Sequence, residues 1–243
     1  MRFASIIVIT RRGPVSGYSG STLMLMKTTA AILTLFFAGT ALAHNPDASA
    51  GRAGIRFTFE NPKLEPAAYS LQIYEDGSGS YTTSIGGDSD SQPEVRTIRI
   101  HEPLRAKLFQ AARAHHFFAV DCEAPHSQVA FTGKKTLAYT GPDGTGSCTF
   151  NYSRDQSLNQ IASELIGVAF TLEEGDRLKS EHLHDRLSLD AELESLADAA
   201  QDHRALELGN IAPELESIAN DDAVLQRARA RARALVSEPD AVR

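Results

Sequence analysis

The stretch over residues 69–81 constrains the fold more than any other part of this sequence, because it predicts a β-hairpin. Leu71 and Ile73 alternate with polar neighbours, as in a strand that buries one face. The alternation breaks at Asp76-Gly77, and a second run of β-favouring residues follows. Because an Asp-Gly pair tolerates the positive φ angles of a tight turn, this break has a structural cause. The chain is therefore expected to contain an antiparallel sheet.

Further elements around this hairpin predict an α+β domain over residues 55–170. They are strands over residues 55–59 and 95–100, a helix over about 103–116, a second hairpin over 136–152 and an amphipathic helix over 158–169. Ser153 and Gln156 have the spacing of a capping box at the start of the last helix. This order predicts a small, mostly antiparallel sheet with two packing helices. Residues 171–238, rich in Ala, Leu, Glu and Asp, predict an all-helical C-terminal extension.

Two features of this domain form a wider pattern. They are a helix that ends in Phe117-Phe118 and, before it, the spacing Tyr69-x-Leu71-x-Ile73-x-x-Asp76-Gly77-x-Gly79-x-Tyr81. In this pattern the chain resembles a group of exported bacterial proteins that share a hairpin domain with no assigned activity. The resemblance covers about residues 55–152. It implies a secreted or periplasmic setting, and it brings no catalytic residues with it.

The N-terminal part of the chain predicts export. Residues 26–43 have the parts of a secretory signal peptide, namely a basic Lys27, an apolar run and an Ala-x-Ala site that ends at Ala43. Cleavage is expected between Ala43 and His44. A membrane anchor is the alternative, but the apolar run is shorter than the roughly 20 residues that a spanning helix needs.

This interpretation divides the first 54 residues into two segments. Residues 1–43 are the leader and signal peptide, and residues 44–54 are a polar spacer. Met24 or Met26 is the expected translation start, because the Arg-, Gly-, Pro- and Ser-containing run before them does not resemble an ordered element. The mature protein is expected to be periplasmic or secreted, with no membrane span after cleavage.

The predicted mature chain is strongly acidic. Residues 1–43 hold four basic side chains and no acidic ones, which leaves 20 basic and 31 acidic side chains and a net charge of −11. Such a charge opposes binding to nucleic acid or anionic lipid. We therefore expect no nucleic-acid partner, and another envelope protein is the expected partner class. The oligomeric state is left open.

One basic run near the C-terminus could suggest nucleic-acid binding. Four arginines alternate with alanine there: Arg227, Arg229, Arg231 and Arg233. On a helix they flank an apolar face, and residues 173–222 carry 15 acidic side chains against four basic ones. The arginines are therefore expected to pair with acidic neighbours inside this region.

Cys122 and Cys148 are the two cysteines of the chain. Export would place them in an oxidising compartment, where a structural disulfide between them is the expected state. A redox pair or a metal site is the alternative. Redox pairs more often have the spacing Cys-x-x-Cys, and the separation here is much wider.

Three histidines near Cys122 suggest the one enzymatic alternative. His115, His116 and His126 could form a metal site or act in a periplasmic hydrolase, together with Asp121 or Glu123. Adjacent histidines on a helix point about 100° apart and seldom bind one ion together. The pair His182 and His184 has the same problem. We therefore expect no metal and no cofactor.

Common catalytic motifs do not occur in the sequence, including Gly-x-Ser-x-Gly, His-Glu-x-x-His and Cys-x-x-Cys. The leading hypothesis is a non-catalytic exported protein that acts in protein binding or envelope structure. A third possibility is a ligand-binding module with Tyr74, Tyr81 and Tyr139 on an exposed sheet face. Aromatic residues in strands more often serve packing.

Overall fold

A computed structural model describes residues 51–83, 93–124 and 129–237. The predicted leader and signal peptide, the cleavage site between Ala43 and His44, most of the spacer and His126 lie outside these described residues. Within them, the α+β class predicted from the sequence is confirmed. No helix in the described ranges combines the length and the apolar character needed to cross a membrane.

The sheet has six antiparallel strands in the order β4-β3-β2-β1-β5-β6. Their bounds are β1 (Gly54–Glu60), β2 (Ala68–Tyr74), β3 (Ser78–Thr83), β4 (Glu94–Arg99), β5 (Lys134–Gly141) and β6 (Gly144–Phe150). The predicted hairpin is the β2–β3 pair, and Gly77 in its turn has a φ of 83°. A side chain there would also meet the Ile100 carbonyl oxygen at 2.5 Å, so the turn requires glycine.

Five α-helices complete the described fold: α1 (Leu104–Ala114), α2 (Gln156–His184), α3 (Leu189–Gln201), α4 (Ala212–Asn220) and α5 (Gln226–Ser237). Helix α2 has 29 residues and continues past Phe170, where shorter helices were expected. It is continuous because Leu172 and Leu178 extend its apolar stripe among charged residues. The boundary that the sequence predicts after residue 170 falls within α2.

Helix α2 links two hydrophobic cores. The first core lies between the sheet and the helices α1 and α2, and it includes Leu165 and Leu172. The second core joins the C-terminal end of α2 to α3, α4 and α5, and it includes Leu178. The helical extension is therefore built directly onto the helix that covers the sheet.

The chain after α1 makes a turn that sequence analysis did not predict. His116, Phe117 and Phe118 have φ angles of 51°, 60° and 65°, where residues other than glycine are strained. Phe118 is fully buried, and Phe117 stacks on Tyr139 with ring centroids 5.0 Å apart. Gly146 makes room for the turn, since a Cβ there would lie 2.7 Å from the Phe117 carbonyl oxygen. The turn therefore lies against β6.

Both outer strands of the sheet are partly closed by other groups of the chain. On β4, the side-chain amide of Asn210 accepts a hydrogen bond from the Arg99 N–H at 2.7 Å and donates one to the Arg99 carbonyl at 2.9 Å. Just beyond this strand, His101 N–H donates to Glu207 Oε1 at 3.0 Å. On the other side, the turn at Phe117 packs on β6. These contacts limit the addition of further strands at the edges.

Candidate functional site

The sheet has one covered face and one polar face. Side chains on the covered face form the first core with α1 and α2. No residue of the polar face belongs to either core cluster. We call this surface the open face and define it by Arg56, Thr58, Ser70, Gln72, Tyr74, Ser80, Thr82, Thr97, Thr136, Ala138, Ser147 and Thr149.

A row of hydroxyl groups crosses the open face. The strand register places its members opposite one another on five neighbouring strands, in the order Thr149, Thr136, Thr58, Ser70 and Thr82. Thr136 Oγ1 and Thr149 Oγ1 are 2.9 Å apart. In the next row Arg56 Nε donates to Gln72 Oε1 at 3.0 Å. These contacts pair polar side chains across neighbouring strands of the open face.

The hypothesis that three tyrosines share an exposed face is wrong for two of them. Tyr74 lies on the open face, with the Arg52 guanidinium 4.4 Å from its ring centroid. Tyr81 and Tyr139 are 3% and 1% exposed on the covered face. The strand register explains the burial of Tyr81, because it lies directly opposite the buried Leu71 and residues directly opposite each other share a face. Burial raises the pKa of Tyr139 to about 12.

His115 belongs to a cluster that the sequence did not reveal. Its Nε2 lies 2.7 Å from Ser157 Oγ, and its Nδ1 lies 3.5 Å from Asp155 Oδ2. Asp155 Oδ1 also accepts hydrogen bonds from the Ser157 N–H at 2.9 Å and from the Ser157 hydroxyl at 2.8 Å. The bonds from Ser157 hold the pKa of Asp155 below its usual value. The cluster joins the end of α1 to the start of α2.

The same geometry corrects the predicted capping box. Asp155 is the N-cap of α2, and its side chain accepts from the Ser157 N–H. Ser153 lies before the cap, where its Oγ accepts from the Asp155 N–H at 3.1 Å. An Asp-x-Ser pair at a helix start was the available signal for this cap. No local pattern could have indicated His115, which is 42 residues away from Ser157.

Of the other residues proposed around a metal or hydrolase site, the described ones form no metal-holding group with His115. His116 and Asp121 are exposed, and Glu123 Oε2 accepts a hydrogen bond from the Asn151 N–H at 2.6 Å. Among the described residues, which do not include His126, no group of three or more His, Cys, Asp or Glu side chains could hold a metal ion. Cys122 is bonded to Cys148, with Cα atoms 5.9 Å apart, so the predicted disulfide is confirmed.

His182 and His184 occupy different environments at the end of α2. His184 is exposed, whereas His182 Nε2 lies 2.8 Å from Asp221 Oδ2. The N–H of Ala223 and then His182 are the main groups that hold the pKa of Asp221 below its usual value. A shallow depression of about 570 Å³ opens here and is lined by His182, Pro213, Glu216, Ser217, Asn220 and Asp221. These contacts tie α2 to the turn between α4 and α5.

The arginines of α5 pair as the sequence predicts. Three of them contact carboxylates: Arg227 and Arg231 bind Asp190 on α3, and Arg229 binds Asp222. Arg233 donates to the Ala219 carbonyl at 2.6 Å. The run of positive charge is therefore neutralised largely within the helical extension.

No protein-family model matches the chain, and no curated protein matches it. Its function therefore has to be inferred from the surfaces and side-chain clusters of the described residues.

Proposed function

We propose that this chain is an exported protein, periplasmic or secreted, that acts as a non-catalytic interaction or envelope structural module. Its partner is another envelope protein, which binds to the open face. The observation that carries this proposal is a broad polar sheet surface that neither described core covers. Hydrogen bonds among its side chains already order them, which reduces the conformational entropy lost when a partner binds.

The partly closed edges of the sheet support recognition by the open face. An exposed edge strand offers unpaired backbone groups to which a partner can add a strand. Asn210 occupies both outward backbone groups of Arg99 on β4, and the turn at Phe117 lies against β6. The polar face is thus the larger surface left to a partner.

Export is supported by the chain itself. The disulfide between Cys122 and Cys148 is typical of proteins that mature in an oxidising compartment. Residues 26–43 have the pattern of a secretory signal peptide. The hairpin motif that resembles exported bacterial proteins agrees with the same location.

Photo-crosslinking in the protein's own host tests the binding surface. A photoreactive residue at Thr58, in the centre of the open face, is expected to give one discrete adduct that mass spectrometry identifies as an envelope protein. The matched control places the same residue at Gln110, which is exposed on α1. The proposal fails if Thr58 gives no adduct, or if Gln110 gives the same adducts.

Ester hydrolysis at Ser157 is a second candidate function, favoured by the arrangement of the His115 cluster. Hydrolases of the serine class bind the nucleophile to one imidazole nitrogen and a carboxylate to the other, as the atoms are placed here. Ser157 Oγ would add to the acyl carbon while its proton passes to His115 Nε2 and then to the leaving alcohol. Water would hydrolyse the acyl-serine. In the structure the Ser157 hydroxyl donates to Asp155 Oδ1 at 2.8 Å, which is the arrangement of a helix cap, so hydrolysis requires this hydroxyl to turn its proton toward His115.

A fluorophosphonate probe distinguishes the two functions, because it modifies only activated serines. The non-catalytic module predicts an intact mass without adduct after incubation with the probe. The hydrolase predicts one adduct on Ser157 that is lost in His115→Ala. Ser163→Ala is the matched control, since Ser163 is an exposed serine on the same helix.

A further inference from the structure

The junction between α2 and α3 places several carboxyl groups around one guanidinium. Arg177 Nη1 lies 3.3 Å from Glu174 Oε1 on its own helix and 2.9 Å from Glu192 Oε1 on α3. The side chains of Glu174 and Glu192 are 5% and 19% exposed. Glu181, on α2, also interacts with Glu192 and Arg177. Three carboxyl groups therefore lie near one guanidinium, whose side chain is 55% exposed while that of Glu174 is nearly buried.

The charges at this junction do not balance if all three carboxyl groups are ionised. One guanidinium against three carboxylates leaves a net charge of −2, and removing charge from water is costly. Glu173, the residue before Glu174 on α2, adds another acidic group close to the junction. Its Oε1 accepts a hydrogen bond from the Tyr81 hydroxyl of β3 at 2.9 Å. A proton on one of the paired carboxyl groups relieves this excess.

Charged groups from the other elements near this part of α2 are already engaged. Arg96 of β4 lies 2.8 Å from Glu214 of α4 and 3.0 Å from Asp176 of α2. On the α3 side, Asp190 is bound by Arg227 and Arg231. These groups pair with one another, so Arg177 is the cation that serves the Glu174 junction.

We propose that the junction is a pH-dependent latch, in which a protonated Glu174 donates a hydrogen bond to Glu192 and holds α3 on α2. Loss of that proton leaves two carboxylates beside the one guanidinium and weakens the hold of α2 on α3, which the second core still retains. The inference does not depend on which partner binds the open face.

The protonation behaviour of the pair agrees with this arrangement. Burial is the main cause that raises the pKa of Glu174 to about 8, and the hydrogen bond to Glu192 contributes. The same bond holds the pKa of Glu192 below its usual value. Because an unfolded glutamate ionises near 4.5, the stabilisation is complete below that pH and is lost as the pH rises through about 8. The latch is therefore closed in acid and opens in alkali.

Hydrogen exchange on the full chain, corrected for the intrinsic exchange rate, tests the latch. Between about pH 6 and about pH 9, we expect amide protection in α3 to fall by about tenfold or more. The reason is that the loss of one linked proton changes an opening equilibrium by about tenfold for each pH unit below the folded pKa. Protection in α1 should stay constant. Glu174→Gln carries a neutral amide and is expected to keep α3 protected at the higher pH.

Asp198→Asn, an exposed change on α3, is the matched control and should behave as the parent chain does. Glu192→Gln provides a second test if Glu174→Gln does not fold, because it also removes one carboxylate from the junction. Constant protection of α3 in the parent chain would overturn the latch. A loss of α3 protection in both Gln variants as large as in the parent chain would also overturn it. An equal loss of protection in every helix would indicate global destabilisation and would overturn it too.

Discussion

Arg96→Ala is expected to lower the free energy of unfolding by about 3 kcal/mol, in the range observed when one partner of a buried ion pair is removed. Arg96 of β4 makes polar contacts with α2, with the segment before α4 and with α4 itself. Its guanidinium contacts Asp176, Glu214 and the Asn210 carbonyl at 2.8–3.0 Å. The Glu214 side chain is 15% exposed, so it would become a nearly buried carboxylate without its cation. Urea denaturation followed by circular dichroism measures the loss.

The control for this prediction is Arg204→Ala. Arg204 and its partner Asp202 have side chains that are 58% and 67% exposed, so their ion pair is expected to contribute less than about 1 kcal/mol. Adding Glu214→Gln to Arg96→Ala should recover part of the lost stability, because the uncompensated charge is removed. Equal effects of Arg96→Ala and Arg204→Ala would contradict the prediction.

The double change Cys122→Ala and Cys148→Ala is expected to destabilise the chain by about 3 kcal/mol in the chain-entropy model. The disulfide closes a loop with a sequence separation of 26 residues and restricts the unfolded chain. It also ties the segment after the Phe117 turn to β6, the outer strand of the sheet. Thermal unfolding of the double variant and the oxidised parent chain measures the difference.

Reduction of the parent chain supplies an independent control for the disulfide. The reduced protein should unfold close to the double-alanine variant, because both lack the covalent loop. A thiol assay on the native, oxidised protein should find no free cysteine. Two reactive thiols, or unfolding transitions that do not depend on oxidation, would be inconsistent with a stabilising disulfide.

The parts of the structure that neighbouring residues decide are the parts that the sequence predicts correctly. The Asp76-Gly77 break predicts the β2–β3 hairpin because turn geometry depends on a few adjacent residues. The alternation around it predicts an antiparallel sheet, and two cysteines in a chain with an export pattern predict a disulfide. The full length of α2 is not predicted, because charged residues that contact other elements interrupt its apolar stripe beyond Phe170.

The amino-acid sequence by itself determined the α+β class, the central hairpin, the cysteine pair and the presence of acidic residues for the C-terminal arginines to pair with. Only the tertiary structure decided which sheet face buries Tyr81 and which stays open, because strand register fixes that choice. It also brought His115 to Ser157 and Arg96 to Glu214, pairs that lie 42 and 118 residues apart. Such contacts follow from the packing of whole helices on the sheet, and local residue patterns do not predict them.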